Sequence, residues 1–311
     1  MLREADVDAV AVCLPNDLHA EVTIAALEAK KHVIVEKPMA VSLEQADAML
    51  RAARANGRQL MVEQTQRFDP VHETAYDVLR SGRLGDLVRV HGRLGHAGPE
   101  YWSPTSPWFT VKSQSGGGVL MDVGIHIIDL LRWLSGKQVK RICAHAKTIR
   151  KLIEVEDNAS ALFEFTDGTI GAIEVSWTIR PYEVTTDSYA ERGTVRTALG
   201  SATPVVVQFS QPDGSLMGEA FHPSVAPASR LGGAYPAFIN ALVQETQVPV
   251  PGEEGRSTLE VVLAAYESAR TGRWIDLPLS SITGSSGRPG SKLSPEFCAP
   301  TAVPRPVGGM S

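Results

Sequence analysis

Asp122, His126 and Asp129 stand at i, i+4 and i+7 in the segment Gly116-Gly117-Gly118-Val119-Leu120-Met121-Asp122-Val123-Gly124-Ile125-His126-Ile127-Ile128-Asp129. That spacing predicts one helix face carrying all three, with Leu120, Val123, Ile127, Leu131 and Leu134 on another. A histidine between two carboxylates on an apolar helix is costly to bury without a task. Near neutral pKa it can take a hydroxyl proton while a carboxylate orients it. The plainer alternative is a satisfied core histidine, with Asp129 capping a neighbouring segment. A divalent-ion site is a third, but no fourth ligand is evident and no metal is expected.

Glu36-Lys37-Pro38 follows the apolar run Val33-Ile34-Val35. In open parallel sheets, ligands bind beyond the carboxyl ends of strands. A lysine there can face a developing alkoxide, and Glu36 can hold it or accept from a ribose hydroxyl. Pro38 permits a cis peptide. The bland alternative is a surface Glu-Lys pair before a loop. Leu14-Pro15-Asn16-Asp17-Leu18-His19 ends another apolar run; alone it reads as an N-cap with an exposed histidine. Tyr101, Trp102, Trp108 and Phe109 lie in a Gly/Pro-rich loop, fit for a sugar platform or for core packing.

The elements that must position these residues follow from periodicity. Val7–Leu14, Val33–Val35 and Leu60–Val62 read as buried parallel strands. Between them lie a helix capped by Asn16 or Asp17 and one opened by Ser42 and Gln45 and closed by Gly57. This β-α-β-α-β order implies a parallel sheet with helical crossovers. Asp69-Pro70 then opens a helix ending near Ser81-Gly82. A strand at Leu87–Leu94, a loop at His96–Ser115 and a helix from Val119 to Leu134 follow. Val139–Ile149, Ala159–Phe165 and Thr169–Trp177 read as strands, the last two joined by Asp167-Gly168. Helices are expected near Pro236–Glu245 and Thr258–Ala269, the latter opened by a Ser257-x-x-Glu260 capping box. The fold class is α/β followed by α+β: an incomplete Rossmann-like parallel sheet, then an antiparallel open-sheet domain.

The 311 residues suggest about two domains. A net charge of −5 provides no basic field for nucleic acid, and no long apolar run crosses a membrane. Cys13, Cys143 and Cys298 are scattered, which suits a reducing, cytoplasmic setting rather than a disulfide framework. Residues 281–311 are rich in Gly, Pro and Ser and are expected to be a disordered tail.

Taken in order, these motifs resemble the Gfo/Idh/MocA family of NAD(P)-dependent oxidoreductases. Pro15-Asn16-x-x-His19 is similar to its nicotinamide-side loop and Glu36-Lys37-Pro38 to its signature. Arg67-Phe68 before Pro70 resembles the exit from the nucleotide domain, and Gly116–Asp129 the catalytic helix. The resemblance spans about Val7 to Leu279. It implies a cofactor domain over residues 1–68, a substrate domain over 69–280, and NAD or NADP as cofactor. It also implies Lys37, Asp122 and His126 as the catalytic group. Pro15, Asn16, His19, Glu36, Lys37 and Arg67 would then lie on the cofactor side, with Trp102 and Trp108 toward a sugar, inositol or related polyol. Homodimers or homotetramers are usual in the family. A sugar-binding sensor and an NAD-dependent glycoside hydrolase are alternatives on the same scaffold. The chain contains no Gly-x-Gly-x-x-Gly turn. Its first strand matches the fourth of the family pattern, so on the order of 60 residues are expected upstream in the natural protein.

Overall fold

Three short apolar runs build the first sheet. Strands β1 (Ala9–Val12), β2 (His32–Glu36) and β3 (Leu60–Glu63) lie parallel in that order. Helices α1 (His19–Glu28) and α2 (Leu43–Asn56) make the crossovers. In the computed structural model, residues 6–227 and 233–279 are described; the tail expected at 281–311 lies outside them. The local signals of α2 are realised. Ser42 Oγ accepts from Gln45 N at 3.3 Å, and Gly57, at φ 60°, supplies the left-handed residue that ends the helix. The cap expected at Asn16 or Asp17 is not made. A 3-10 turn at Asn16–Leu18 leads into α1 without a side-chain cap, and the Asn16 amide NH2 donates instead to Ser115 O at 2.8 Å.

Helix α3 (Pro70–Arg80) opens as expected, with Asp69 accepting from Val71 N at 2.9 Å. Strand β4 (Leu87–Gly95) runs into a loop containing two 3-10 turns and the single-turn helix α4 (Lys112–Ser115). Helix α5 (Ile125–Ser135) precedes the strand run β5 (Val139–Lys147), β6 (Asn158–Phe165), β7 (Ile170–Ser176), β8 (Glu183–Ala190), β9 (Gly193–Ala198) and β10 (Val205–Phe209). Helices α6 (Ala234–Val243) and α7 (Gly252–Thr271) and the short β11 (Ile275–Asp276) close the described fold. The eight strands form one sheet in the order β10-β9-β8-β4-β7-β6-β5-β11. The antiparallel expectation holds for every pair but one: β4 runs parallel to β7, so the sheet is mixed. The buried side chains Phe163, Phe165, Trp177 and Phe238 belong to its core.

Helix α7 starts six residues before the expected Thr258. Ser257 lies inside it, bonding back to Glu253 O at 2.9 Å, and Glu260 pairs with Arg256, so no capping box forms. Inside the first turns of α7, Gly255 packs against β3, where a Cβ would collide with Val62. The chain just before α7 returns to the first sheet, where Val62 N donates to Val250 O at 3.0 Å.

Candidate active site

The segment before α5 carries the chemistry. The continuous helix expected from Val119 is interrupted by a π-helical turn at Leu120–Gly124; such turns widen the helix by about one residue and recur at functional sites. Gly116 enters it at φ 78°, a left-handed geometry that suits glycine. Glu156 and Tyr266 then clamp the turn. Gly118 N and Leu120 N donate to the Glu156 carboxylate at 3.1 and 2.9 Å, and Met121 N donates to Tyr266 Oη at 3.1 Å. Tyr266 Oη itself donates to Glu156 at 2.7 Å. A carboxylate set against free N–H groups at the start of a helical segment is favourable. Side chains at 117 and 118 would collide with Tyr266 and Glu156, which accounts for glycine at both positions.

The π turn divides what the sequence spacing placed on one face. Asp122 turns toward the end of β2. Lys37 Nζ donates to Asp122 Oδ1 at 2.7 Å and to Asp122 O at 2.9 Å, which leaves one ammonium N–H without a partner among the described residues. Trp177 Nε1 donates to Asp122 Oδ2 at 3.1 Å. Asp129 turns the other way, into a buried network where Arg67 Nε and Nη2 donate at 2.6 and 2.7 Å and Thr258 Oγ1 at 3.0 Å. The expectation of a shared face for Asp122, His126 and Asp129 is therefore corrected: Asp129 belongs to the core.

Electrostatics sharpen the division. Burial alone would raise the Asp122 pKa, but the charge and hydrogen bond of Lys37 outweigh it and hold the carboxyl below its usual range. Burial, reinforced by Lys37 and only partly opposed by Asp122, pushes His126 down to about 3. The near-neutral value expected from the sequence is therefore corrected: the ring is neutral at pH 7 but a weaker base than a free imidazole, and its Nδ1 is buried with no protein partner among the described residues. Buried polar atoms are normally paired, so this ring holds unspent hydrogen-bonding capacity beside a cation–carboxylate pair.

The other sequence-predicted residues fall at several places. Glu36 and Lys37 end β2, and the Lys37–Pro38 peptide is cis. Pro15 and buried Asn16 follow β1, and the Asn16 amide ties this loop to Ser115, just before the glycine run. His19 is buried with both ring nitrogens 2.8 Å from backbone oxygens, those of Pro38 and Leu14. It ties the two strand-end loops together and reaches a ligand only through them. Arg67 was expected on the cofactor side, but its Nε and Nη2 are committed to Asp129 and Glu254, so its place is the core network. Trp102 is exposed, and Trp108 stacks on Phe109 at 3.8 Å.

Glu156, Tyr266 and the Trp177 indole escaped the sequence reading, and so did Glu63 and His96. Glu63 ends β3 in register with Glu36; burial, and then the neighbouring Glu36 charge, raise it to about 7. The available signal was an acidic residue closing each of two adjacent strands, but the register that pairs them is non-local. His96 leaves the end of β4 and stands edge-on to Trp102 at 4.5 Å. A separate groove is lined by Thr110, Val111, Lys151, Leu152, Ile153 and Glu154 and includes none of the predicted site residues. Among the described residues, no group of three or more His, Cys, Asp or Glu side chains is placed to hold a metal. No described helix is long and apolar enough to cross a membrane.

Lys37 at the end of a parallel strand thus meets Asp122 of the helical segment, with the neutral imidazole of His126 beside the pair. Comparisons with known proteins identify the family. Residues 1–64 match the oxidoreductase family with an NAD-binding Rossmann fold, and 72–196 match the GFO/IDH/MocA C-terminal domain; the chain belongs to the GFO/IDH/MocA family. It is similar to 1,5-anhydro-D-fructose reductase of Ensifer adhaerens, 31% identical over 281 residues, covering 88% of this chain and 80% of that one. D-glucoside 3-dehydrogenase of Escherichia coli (strain K12) is 30% identical over 293 residues, covering 89% and 81%. The WlbA dehydrogenase of Bordetella pertussis, solved with NADH and UDP-GlcNAcA, superposes with a TM-score of 0.76 at 28% identity, covering 90% of this chain and 82% of that one.

Proposed function

We propose that this protein is an NAD(P)-dependent dehydrogenase that oxidises a secondary hydroxyl of a sugar, inositol or related polyol. The observation that carries the reading is the Lys37–Asp122 pair beside His126 with its unpaired Nδ1. Residues 1–68 serve as the cofactor half and 69–280 as the substrate half. The strand-end residues Pro15, Asn16, Glu36 and Lys37 suit the nicotinamide end of a dinucleotide, as the carboxyl edge of a parallel sheet does in general. A bound nicotinamide supplies the acceptor for the hydride that leaves the alcohol carbon.

The remaining steps belong to the protein. His126, present as the free base, accepts the proton of the substrate hydroxyl as the hydride departs, and a ketone results. The spare N–H of Lys37 donates to the same oxygen and stabilises its developing charge. Asp122 keeps the lysine ammonium in place and gains its own fixed orientation from Trp177. Trp102 and Trp108 offer an apolar wall for a sugar ring. Assembly as a homodimer or homotetramer through the open face of the large sheet is part of the reading, supported by Leu162 and Ile170 exposed there. A cytoplasmic location is supported by the scattered cysteines.

The test is absorbance at 340 nm with NAD or NADP and a panel of pyranosides and inositols, for the wild type and His126→Ala. Cofactor reduction that collapses in the variant is the expected result. No reduction of either cofactor by a folded wild-type protein across the panel would remove the reading.

A further inference from the structure

His96 is placed by three independent fastenings. Its N–H donates to Ser176 O at 2.9 Å, continuing the β4–β7 pairing in which Gly95 stands opposite Ser176. That register sets His96 alongside Trp177, whose indole N–H holds Asp122. The loop that follows is braced from the sheet. Asp157 accepts from the backbone N–H groups of Ile149, Arg150 and Lys151 at 2.7, 2.8 and 2.8 Å, and Lys151 Nζ reaches across to Ala97 O at 2.7 Å and pairs with Glu100. On the far side, Arg180 lies over the Tyr101 ring.

The ring of His96 has a defined tautomer. Gly98 N donates to its Nδ1 at 3.0 Å, so in the neutral imidazole the proton sits on Nε2. Burial favours that neutral form, with the charges of Lys37 and Lys151 acting in the same direction and Asp122 against it. No described residue accepts from Nε2. Trp102 stands edge-on to this ring and is 53% exposed, so a flat apolar surface flanks an unused donor in a rigid loop. A sugar or inositol ring carries that combination in reverse, with a C–H face bordered by hydroxyl oxygens.

We propose that His96 is a specificity-determining residue, donating from Nε2 to a substrate hydroxyl adjacent to the one oxidised while Trp102 carries the C–H face of the ring. The preferred substrates are then cyclic polyols or pyranosides with vicinal hydroxyls. This rests on the dehydrogenase reading of the same site.

The experiment compares methyl β-D-glucopyranoside with its monodeoxy forms, and myo-inositol with a deoxyinositol, in wild type, His96→Ala and Trp102→Leu. Both kcat/KM for cofactor reduction and quenching of tryptophan fluorescence on binding are followed. The wild type is expected to disfavour one deoxy form by about tenfold, the scale of one neutral hydrogen bond. His96→Ala is expected to abolish that discrimination, with the loss appearing in KM rather than in kcat. Trp102→Leu weakens every probe alike and keeps the discrimination. A folded His96→Ala protein that still discriminates would overturn the proposal. If the wild type reduces no cofactor but binds the probes with a His96-dependent preference, the dehydrogenase reading fails, and the hydrogen bond from His96 to a ring hydroxyl stands without an oxidised neighbour. If it binds none of them, both fail.

Discussion

Two aspartates seven residues apart each meet a basic side chain from the first 67 residues, with quite different consequences. Lys37–Asp122 spans 2.7 Å and Arg67–Asp129 spans 2.6 Å. At Asp129 the accounts are closed: a guanidinium grips both carboxylate oxygens, Thr258 adds a third donor, and the pair is buried. At Asp122 they are left open, with a spare N–H on Lys37 and an unpaired nitrogen on His126 beside it. The same charge pairing builds a core where both carboxylate oxygens are held by donors and a site where a donor and a ring nitrogen are left over. Lysine and arginine fit these tasks: the planar fork locks a carboxylate, whereas the ammonium keeps a rotatable donor in hand.

The sharpest way to break this comparison is to remove the chemistry at one end only. His126→Ala is expected to lower kcat by about 10²–10⁴, the usual cost of losing a positioned base, with cofactor binding nearly intact. Lys37→Ala is expected to cost at least as much, since it removes both the donor to the oxygen and the partner of Asp122. Steady-state kinetics on any polyol the parent oxidises checks both. Wild-type turnover in His126→Ala would end the assignment.

Asp129→Asn makes the opposite cut. Breaking one partner of a buried ion pair typically costs about 3–5 kcal/mol. The expected outcome is a clear fall in melting temperature by scanning calorimetry, while kcat/KM of the protein still folded at 25 °C stays within a few-fold of the parent. A rate loss comparable to that of His126→Ala, with stability unchanged, would place Asp129 in the site after all.

Acid titration offers a smaller signal. His126 binds its proton near pH 6.5 when unfolded and only near 3 when folded. Between these values the unfolded chain holds more protons, so stability rises with pH; this contribution is complete above 6.5 and lost as pH falls toward 3. His19, His72 and His96 are lowered in the same direction by burial. His126→Gln is therefore expected to remove part of the acid slope in urea unfolding between pH 6.5 and 4. An unchanged slope would mean that the ring is not held neutral by burial.

What the sequence made legible was local. Ser42 with Gln45, Asp69 with Pro70 and Gly57 all signal structure within four residues of themselves, and all three behave as read. The family was legible because its motifs survive as short ordered strings, and the proposed trio Lys37, Asp122 and His126 comes from that resemblance. The misreadings were tertiary. The π turn at Leu120–Gly124 coincides with the Glu156–Tyr266 clamp, contributed by residues 35 or more positions downstream. The Glu36–Glu63 pairing depends on strand register, and the glycines in the first turn of α7 answer to close approach to β3, as at Gly255 and Val62. Arg67 followed its motif to the cofactor side, whereas its partners, Asp129 and Glu254, lie 62 and 187 residues further along the chain.

The finest test sets matched hydrogen bonds against each other. Trp177 Nε1 donates to Asp122 at 3.1 Å, and Thr258 Oγ1 donates to Asp129 at 3.0 Å. Each is a neutral donor to a carboxylate already held by a cation, so loss of either removes a similar increment, on the order of 1–3 kcal/mol. Trp177→Phe keeps most of the ring in the core but frees one Asp122 oxygen, and with it the orientation of Lys37. Its expected signature is a several-fold drop in kcat with KM nearly constant, beyond whatever stability the smaller ring loses. Thr258→Val leaves Asp129 and Arg132 each short of a partner, since Arg132 Nη1 donates to the same hydroxyl at 2.6 Å. Its expected signature is a lower melting temperature with kcat unchanged. If the two variants shift the same quantity, the division between an open site and a closed core drawn along this helical segment is wrong. If they separate, Asp122 works in an open site and Asp129 in a closed core, on either side of the π turn.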